Sequence, residues 1–102
     1  MKIIWSGFAQ KKLKNILEYY KIKATPKVAQ RIVSGIVKTT LSLRDQPYIG
    51  TIEQQLKGRN KQYRYMVYKK YKIIYSVNLE NDTIEITDVF DTRQNPDKLK
   101  KT

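Results

Sequence analysis

In most of the first half of this chain, apolar and polar residues alternate with the spacing of an amphipathic helix. The short apolar stretch "KIIW" precedes Ser6 and Gly7, which predicts a strand leading into a helix with Ser6 as its N-cap. From Phe8 to Tyr20, and again after Thr25 and Pro26, apolar residues recur at helical spacing with basic residues between them. This half therefore predicts one strand and two amphipathic helices joined by a short connection.

The second half changes to a period of two. Pro47 and Gly50 in "DQPYIGTIEQQLKGRNK" predict a loop, and "QYRYMVY", "YKIIYSVNL" and "TIEITDVF" then predict three strands, with Lys69 and Lys70 at the first hairpin. Helices followed by a run of strands indicate an α+β fold. We predict a single domain over residues 1–102, in the order β-α-α-β-β-β. Its antiparallel sheet should pack on the helical hairpin by one face and leave the other face in solvent.

The absence of two residue types limits the chemistry. The 102-residue chain has no cysteine and no histidine, so thiolate and imidazole metal sites and the usual general base are missing. This argues against metal-dependent hydrolysis, and we predict neither a metal nor a cofactor. The N-terminal apolar stretch is too short for a signal peptide or a membrane span. We therefore expect a cytoplasmic protein that does not contact membranes.

The formal net charge of +12 predicts an acidic partner or nucleic acid. From Lys57 to Lys72 there are seven basic residues and no acid, whereas from Ile73 to Thr92 there are five acids and no base. Cations interleaved with tyrosines suit single-stranded RNA, although the same tyrosines could belong to the core and the lysines to a solvated edge. The predicted nucleic-acid-binding residues are Lys57, Arg59, Lys61, Tyr65, Lys69, Lys70 and Lys98.

Four residues are candidates for catalysis. Glu53, the only carboxylate between Asp45 and Glu80, could accept a proton from a ribose hydroxyl, or it could simply pair with a lysine in an exposed loop. Three cations on neighbouring strands could meet over one surface of the sheet and bind a phosphate: Arg64, Lys72 and Arg93.

The last of these cations has an alternative role. Arg93 follows the final predicted strand and could form a salt bridge with Asp91 or Asp97 that fixes the tail. In that tail, "PDKLKK", Leu99 is the one apolar anchor.

Several stretches together resemble the RelE/ParE toxins of bacterial type II toxin–antitoxin modules: "IIW", "QPYIG", "LKG", "YRYMVYKKYKIIYSV" and "IEITDVFDTRQNP". The resemblance implies a microbial ribonuclease-like α+β fold and a hetero-oligomer with a cognate acidic antitoxin. It implies one of two activities. RelE-like and YoeB-like members cut mRNA in the ribosomal A site without a metal, through attack of the 2′-hydroxyl on the adjacent phosphate. ParE-like members inhibit DNA gyrase.

Position by position, the resemblance implies roles for three residues. Glu53 is similar to the YoeB-type general base, Lys72 stands where nucleases carry a phosphate-binding arginine, and Arg93 resembles the arginine that ends the last RelE strand. Leu99 occupies the position of the catalytic tyrosine, which leaves Lys98 or water as proton donor. Of the possible functions, we favour a toxin that cleaves mRNA. The alternatives are a gyrase inhibitor, which tolerates this tail, and a non-toxic RNA-binding module.

Overall fold

The structure, a computed structural model, describes residues 1–101 and the side chains of residues 1–99. Two helices and five strands confirm the α+β prediction, with three short 3₁₀ helices between and after them. The elements are β1 (Lys2–Trp5), α1 (Gly7–Lys23), α2 (Pro26–Thr40), a 3₁₀ helix (Leu41–Arg44), β2 (Thr51–Ile52), a 3₁₀ helix (Gln54–Leu56), β3 (Tyr63–Tyr68), β4 (Tyr71–Asn78), β5 (Thr83–Asp91) and a 3₁₀ helix (Pro96–Lys101).

The two helices begin where the capping residues predict. Ser6 Oγ accepts a hydrogen bond from the Ala9 amide at 3.1 Å, and Thr25 Oγ1 accepts one from the Val28 amide at 3.1 Å. Each bond satisfies an amide that has no partner within its helix. Pro26, in the first turn of α2, lacks the amide hydrogen that would need a partner there. Within residues 1–101, no helix is long and apolar enough to cross a membrane.

The sheet has the strand order β1-β5-β4-β3-β2 and is mixed. Strands β3 to β5 pair antiparallel, as predicted, and β2 pairs antiparallel with β3, but β1 runs parallel to β5, so the prediction of an antiparallel sheet is wrong at this edge. The helical hairpin connects β1 to β2. Each strand from β3 to β5 then runs opposite to the one before it, so that β5 has the same direction as β1. The two-residue strand β2 lies inside the predicted loop and forms the other edge.

The main core lies between the helices and one face of the sheet. Ile36 of α2 and the β4 residues Ile73 and Tyr75 are fully buried there, together with Ile84 and Ile86 of β5. These strand residues alternate along the chain, as the period of two requires when one face packs against helices. The helical hairpin therefore covers the predicted face of the sheet.

The opposite face carries a second apolar cluster. Ile74 and Phe90 pack there with Leu56 and Leu99, which come from the two 3₁₀ helices that follow β2 and β5. Leu99 is 1% exposed. The expectation that this face stays in solvent is therefore wrong over the area of this cluster, because the 3₁₀ helices that follow β2 and β5 each place a leucine on it. The interpretation of Leu99 as an anchor is confirmed.

We predict that Leu99→Ala destabilises the protein. Removing a buried leucine side chain leaves a cavity, and such changes cost about 2–5 kcal/mol; we expect about 2 kcal/mol here because a terminal segment can partly collapse onto the gap. Urea denaturation followed by circular dichroism measures the change in the free energy of unfolding. Leu79→Ala is the control, since Leu79 is 71% exposed. Equal stability of the two variants would contradict the anchoring role.

Candidate functional site

Glu53 and Lys72 form an ion pair on the sheet face opposite the helices. The Glu53 Oε1 to Lys72 Nζ distance is 2.9 Å, and the Glu53 side chain is 3% exposed. Glu53 Oε2 accepts a hydrogen bond from the Gln55 amide at 3.0 Å and so caps the 3₁₀ helix that follows. Lys72 Nζ lies 4.2 Å from the centre of the Tyr65 ring, within the range of a cation–π contact.

These contacts engage both oxygens of the candidate base. Glu53 does pair with a lysine, which was the alternative interpretation, but the pair lies in a buried position and not in an exposed loop. Because the Glu53 side chain is 3% exposed and each of its oxygens already accepts a hydrogen bond, a substrate hydroxyl has little access to the carboxylate in this arrangement. In this arrangement Glu53 shapes the turn and holds Lys72 in place. Its role as a base stays a prediction.

Arg64 lies on the other face of the sheet. It is paired with Tyr75 across the β3–β4 ladder, whereas Lys72 is paired with Val67, so the two cations alternate to opposite faces. Arg64 Nη1 donates to the Tyr48 carbonyl at 3.2 Å and to the Gly50 carbonyl at 2.9 Å. The Arg64 guanidinium therefore holds the loop before β2.

Arg93 forms a salt bridge with Asp91 just beyond the last strand. Arg93 Nη2 lies 2.8 Å from Asp91 Oδ2, and Arg93 Nε donates to Asp91 Oδ1 at 3.1 Å. Hydrogen bonding to Arg93 lowers the pKa of the Asp91 carboxyl from its ordinary value. The interpretation of Arg93 as a partner of Asp91 is therefore confirmed, and the Arg93 side chain is 62% exposed. It borders a cleft of about 350 Å³ against α1, together with Lys12 and Tyr19.

The expected meeting of three cations over one surface does not occur. Lys72 lies beside Glu53 on the face opposite the helices. Arg64 lies on the helix-facing side and binds the loop before β2, and Arg93 borders the cleft against α1. Side-chain alternation along β3 and β4 separates the first two, and the ion pair with Asp91 holds the third. The prediction that these three cations converge is therefore wrong, and their catalytic assignments remain predictions.

The predicted nucleic-acid-binding residues fall into separate groups. Lys57, Arg59 and Lys61 are exposed in the turn before β3, next to a cavity of about 340 Å³ that reaches Glu53. Lys69 and Lys70 lie at the other end of β3; this strand has six residues, and at about 3.3 Å per residue it separates the groups by about 20 Å. The other two are Tyr65, beneath Lys72, and the exposed Lys98 of the tail.

A cluster that the sequence did not reveal surrounds Tyr20 of α1. The Tyr71 hydroxyl donates to the Tyr20 hydroxyl at 3.3 Å, and Lys70 Nζ lies 5.3 Å from the centre of the Tyr20 ring. Burial alone acts to raise the pKa of Tyr20, but hydrogen bonds with Lys70 and Tyr71 outweigh it, so the pKa is lowered from its ordinary value. The contact joins residues 51 positions apart, and no local pattern marks such a pair.

A groove of about 610 Å³ lies between the two helices and next to β1. Its walls are mostly apolar, with two polar side chains at the rim, and its lining residues are Trp5, Gln10, Leu13, Lys14, Leu17, Val33 and Val37. None of the candidate catalytic residues borders it. In the part of the chain that the structure describes, no three carboxylates, histidines or cysteines come together as metal ligands.

Comparison with known proteins identifies one family, and solved structures with a similar fold include the following two. The model of the family "ParE toxin of type II toxin-antitoxin system, parDE" matches residues 3–96. A chain of the chromosomal ParDE TA system from P. aeruginosa superposes with a TM-score of 0.74 and 18% identity, over 89% of this chain and 95% of that chain. A YoeB/ParE toxin from Agrobacterium tumefaciens gives 0.55 and 17%, over 87% and 95%. At such identities the likeness shows a shared fold. No curated protein sequence matches this chain.

The buried ion pair gives a prediction about stability. Glu53→Gln or Lys72→Met alone should lower the free energy of unfolding by about 3 kcal/mol, because each leaves the other polar group without its partner in a poorly solvated position. The double variant should recover part of this loss. A double-mutant cycle by urea denaturation measures the coupling between the two side chains. Additive losses in the single and double variants would argue against a stabilising pair.

Proposed function

This chain belongs to the ParE family of type II toxin–antitoxin toxins, and we propose that it arrests growth by binding and inhibiting DNA gyrase. One observation carries the choice of gyrase over mRNA. Leu99, at the position where the nuclease-type relatives have a catalytic tyrosine, is 1% exposed and packs with Leu56, Ile74 and Phe90. An apolar cluster therefore occupies the sheet face that would need a proton donor.

Metal-free RNA cleavage makes demands that a binding inhibitor does not. It needs a base at the 2′-hydroxyl, cations around the phosphate and a proton donor at the leaving oxygen, all converging within hydrogen-bond reach. Here both Glu53 oxygens are already engaged, and Arg64 and Lys72 lie on opposite faces. Inhibition by binding requires only a complementary surface, which agrees better with this arrangement.

Ribosome-dependent mRNA cleavage is the second candidate function. Glu53, Lys72 and the Tyr65 ring lie next to the exposed basic turn of Lys57 and Lys61. A carboxylate, a cation and an aromatic ring beside a basic turn are the kinds of groups that handle an RNA phosphate and its base. This candidate requires Lys72 to exchange the Glu53 carboxylate for a substrate phosphate.

The antitoxin is the second partner, and we propose the helical groove as its main anchor. The groove is large enough for the apolar side chains of one amphipathic segment, and helix-in-groove recognition uses such a shape. The net charge of +12 would steer an acidic segment toward the toxin and accelerate association. Apolar burial in the groove would then set the lifetime of the complex.

A paired assay separates the two candidate activities. Purified toxin should inhibit supercoiling of relaxed plasmid by gyrase, and primer extension after induction in bacteria should find cellular mRNA intact. Arg93→Ala should leave growth arrest in place, because Arg93 is engaged with Asp91 outside the apolar cluster. New codon-phased 5′ ends, with gyrase unaffected, would establish the nuclease instead. In that case Arg93→Ala should reduce the rate about 10²–10³-fold.

The antitoxin interface predicts an effect of charge in the groove. Val37→Asp should raise the dissociation constant of the antitoxin about thirtyfold or more, because a carboxylate would replace an apolar wall. Ile22→Asp is the matched control, since Ile22 lies on α1 and is 81% exposed. Surface plasmon resonance at several salt concentrations should also show association slowing as salt increases. Equal effects of the two substitutions would place the antitoxin elsewhere.

A further inference from the structure

A buried tyrosine fixes the backbone of the loop Pro47–Gly50, here called the PYIG loop. The Tyr75 hydroxyl donates to the Pro47 carbonyl at 2.8 Å and accepts from the Gly50 amide at 2.9 Å. Tyr75 is fully buried, and burial raises its pKa, so the hydroxyl keeps the proton that it donates. One side chain thus joins both ends of the loop to the middle of the sheet.

Arg64, the neighbour of Tyr75 across the β3–β4 ladder, also fixes this loop. Its Nη1 donates to the carbonyls of Tyr48 and Gly50, and its Nη2 donates to the Gln62 side chain at 3.2 Å. Gly50 fits tightly under Tyr75, since a Cβ atom at that position would lie 2.5 Å from the Tyr75 hydroxyl oxygen. The loop therefore has little freedom to change its backbone conformation.

The outward side of this fixed loop is apolar. Tyr48 is 49% exposed and Ile49 is 53% exposed, and the two are adjacent in sequence. Single exposed apolar residues are common on protein surfaces, whereas here two lie side by side on a loop whose backbone is fixed. A loop that is ordered before binding loses little entropy on association, which makes such anchors effective.

Positive charge lies on one side of Tyr48, while Glu80 and Glu85 line a second cavity that Tyr48 also borders. The Arg64 guanidinium lies 5.4 Å from the centre of the Tyr48 ring, and Lys61 borders the same surface cavity. Arg44 precedes the loop, and the N-terminal amine donates to its carbonyl at 3.3 Å. Asp45 also precedes the loop, so it is the side of Tyr48 carrying Arg64 and Lys61 that complements an acidic surface. Ile49 favours a protein over a nucleic acid, because an aliphatic side chain needs an apolar pocket and does not stack on bases.

We propose that the PYIG loop is the surface through which this toxin contacts its target, and that the target offers an apolar pocket with acidic residues where it meets Arg64 and Lys61. Tyr48 and Ile49 fill that pocket, and Arg64 and Tyr75 are positioning residues that hold the loop. The inference rests on the proposed function in taking the target to be a protein, gyrase. The loop shares no residue with the helical groove assigned to the antitoxin.

The test compares Tyr48→Ala, Ile49→Ala and the double variant with the wild type, with Ile22→Ala as the exposed control. Each single change should raise the toxin concentration that halves gyrase supercoiling about tenfold or more, and the double change should raise it further. The melting temperature and the antitoxin affinity should stay at the wild-type values. Unchanged inhibition by the double variant, or a parallel loss of antitoxin affinity, would overturn the proposal.

Tyr75→Phe tests the positioning role, since it removes both hydrogen bonds to the loop and keeps the ring in the core. It should weaken gyrase inhibition and accelerate hydrogen exchange at the Gly50 amide, with antitoxin affinity retained. If exchange accelerates and inhibition does not change, the rigidity of the loop has no functional role, and that part of the proposal fails.

A separate outcome concerns the proposed function alone. If the wild-type toxin arrests growth without inhibiting supercoiling, gyrase is not its target, and growth arrest then decides the inference about the loop. Loss of arrest in the Tyr48→Ala/Ile49→Ala variant, with antitoxin affinity intact, would support the loop as the target-binding surface. Full growth arrest by this variant would overturn that assignment.

Discussion

The register between β3 and β4 decides which side chains each face of the sheet carries. The two strands meet in a tight hairpin, where Lys69 has a positive φ of 52° and Tyr68 pairs with Tyr71. Pairing then continues in steps of one residue, so Arg64 lies opposite Tyr75 and Lys72 lies opposite Val67. A slip by one residue would exchange the two faces along β4. The buried tyrosine that holds the PYIG loop and the lysine that pairs with Glu53 both depend on this register.

Strand β4 is buried on both faces, and this explains why the short segments outside the sheet matter. Its helix-facing residues Ile73 and Tyr75 belong to the main core, while Ile74 belongs to the cluster that Leu56 and Leu99 complete. Without those two leucines, the apolar surface of Ile74 would face water. The tail segment around Leu99 therefore acts as part of the core, and its conformation is coupled to the sheet face that carries Glu53 and Lys72.

Local patterns predicted the elements, whereas pairings between distant residues could not be predicted. Capping residues and helical spacing identified α1 and α2, and alternation identified β3 to β5. Nothing local marks β1 as parallel to β5, because that depends on how often the intervening chain reverses. The two-residue strand β2 is too short for a periodic signal. The burial of Glu53 also depends on a partner 19 positions away.

The separation of Arg64 from Lys72 is a different case, because the sequence contained the necessary information. A hairpin turn at Lys69 and Lys70 fixes the pairing of β3 with β4. With Tyr75 in the core, its partner Arg64 belongs on the same face, and Lys72, three positions before Tyr75, on the other. The prediction grouped these cations because their strands are neighbours, whereas side-chain alternation along β3 and β4 separates them.

The acidic residues of this chain neutralise only part of its positive charge, so most of that charge can attract partners. Glu53 and Asp88 are buried in ion pairs with Lys72 and Lys12, and in both pairs the lysine is the more exposed member. Each pair therefore neutralises one cation, while most of the 21 basic residues remain on the surface. Any acidic partner is attracted by this field, so charge alone would not distinguish an antitoxin from a target. Discrimination must then come from apolar anchors, and the helical groove and the PYIG loop provide two separate sets of them.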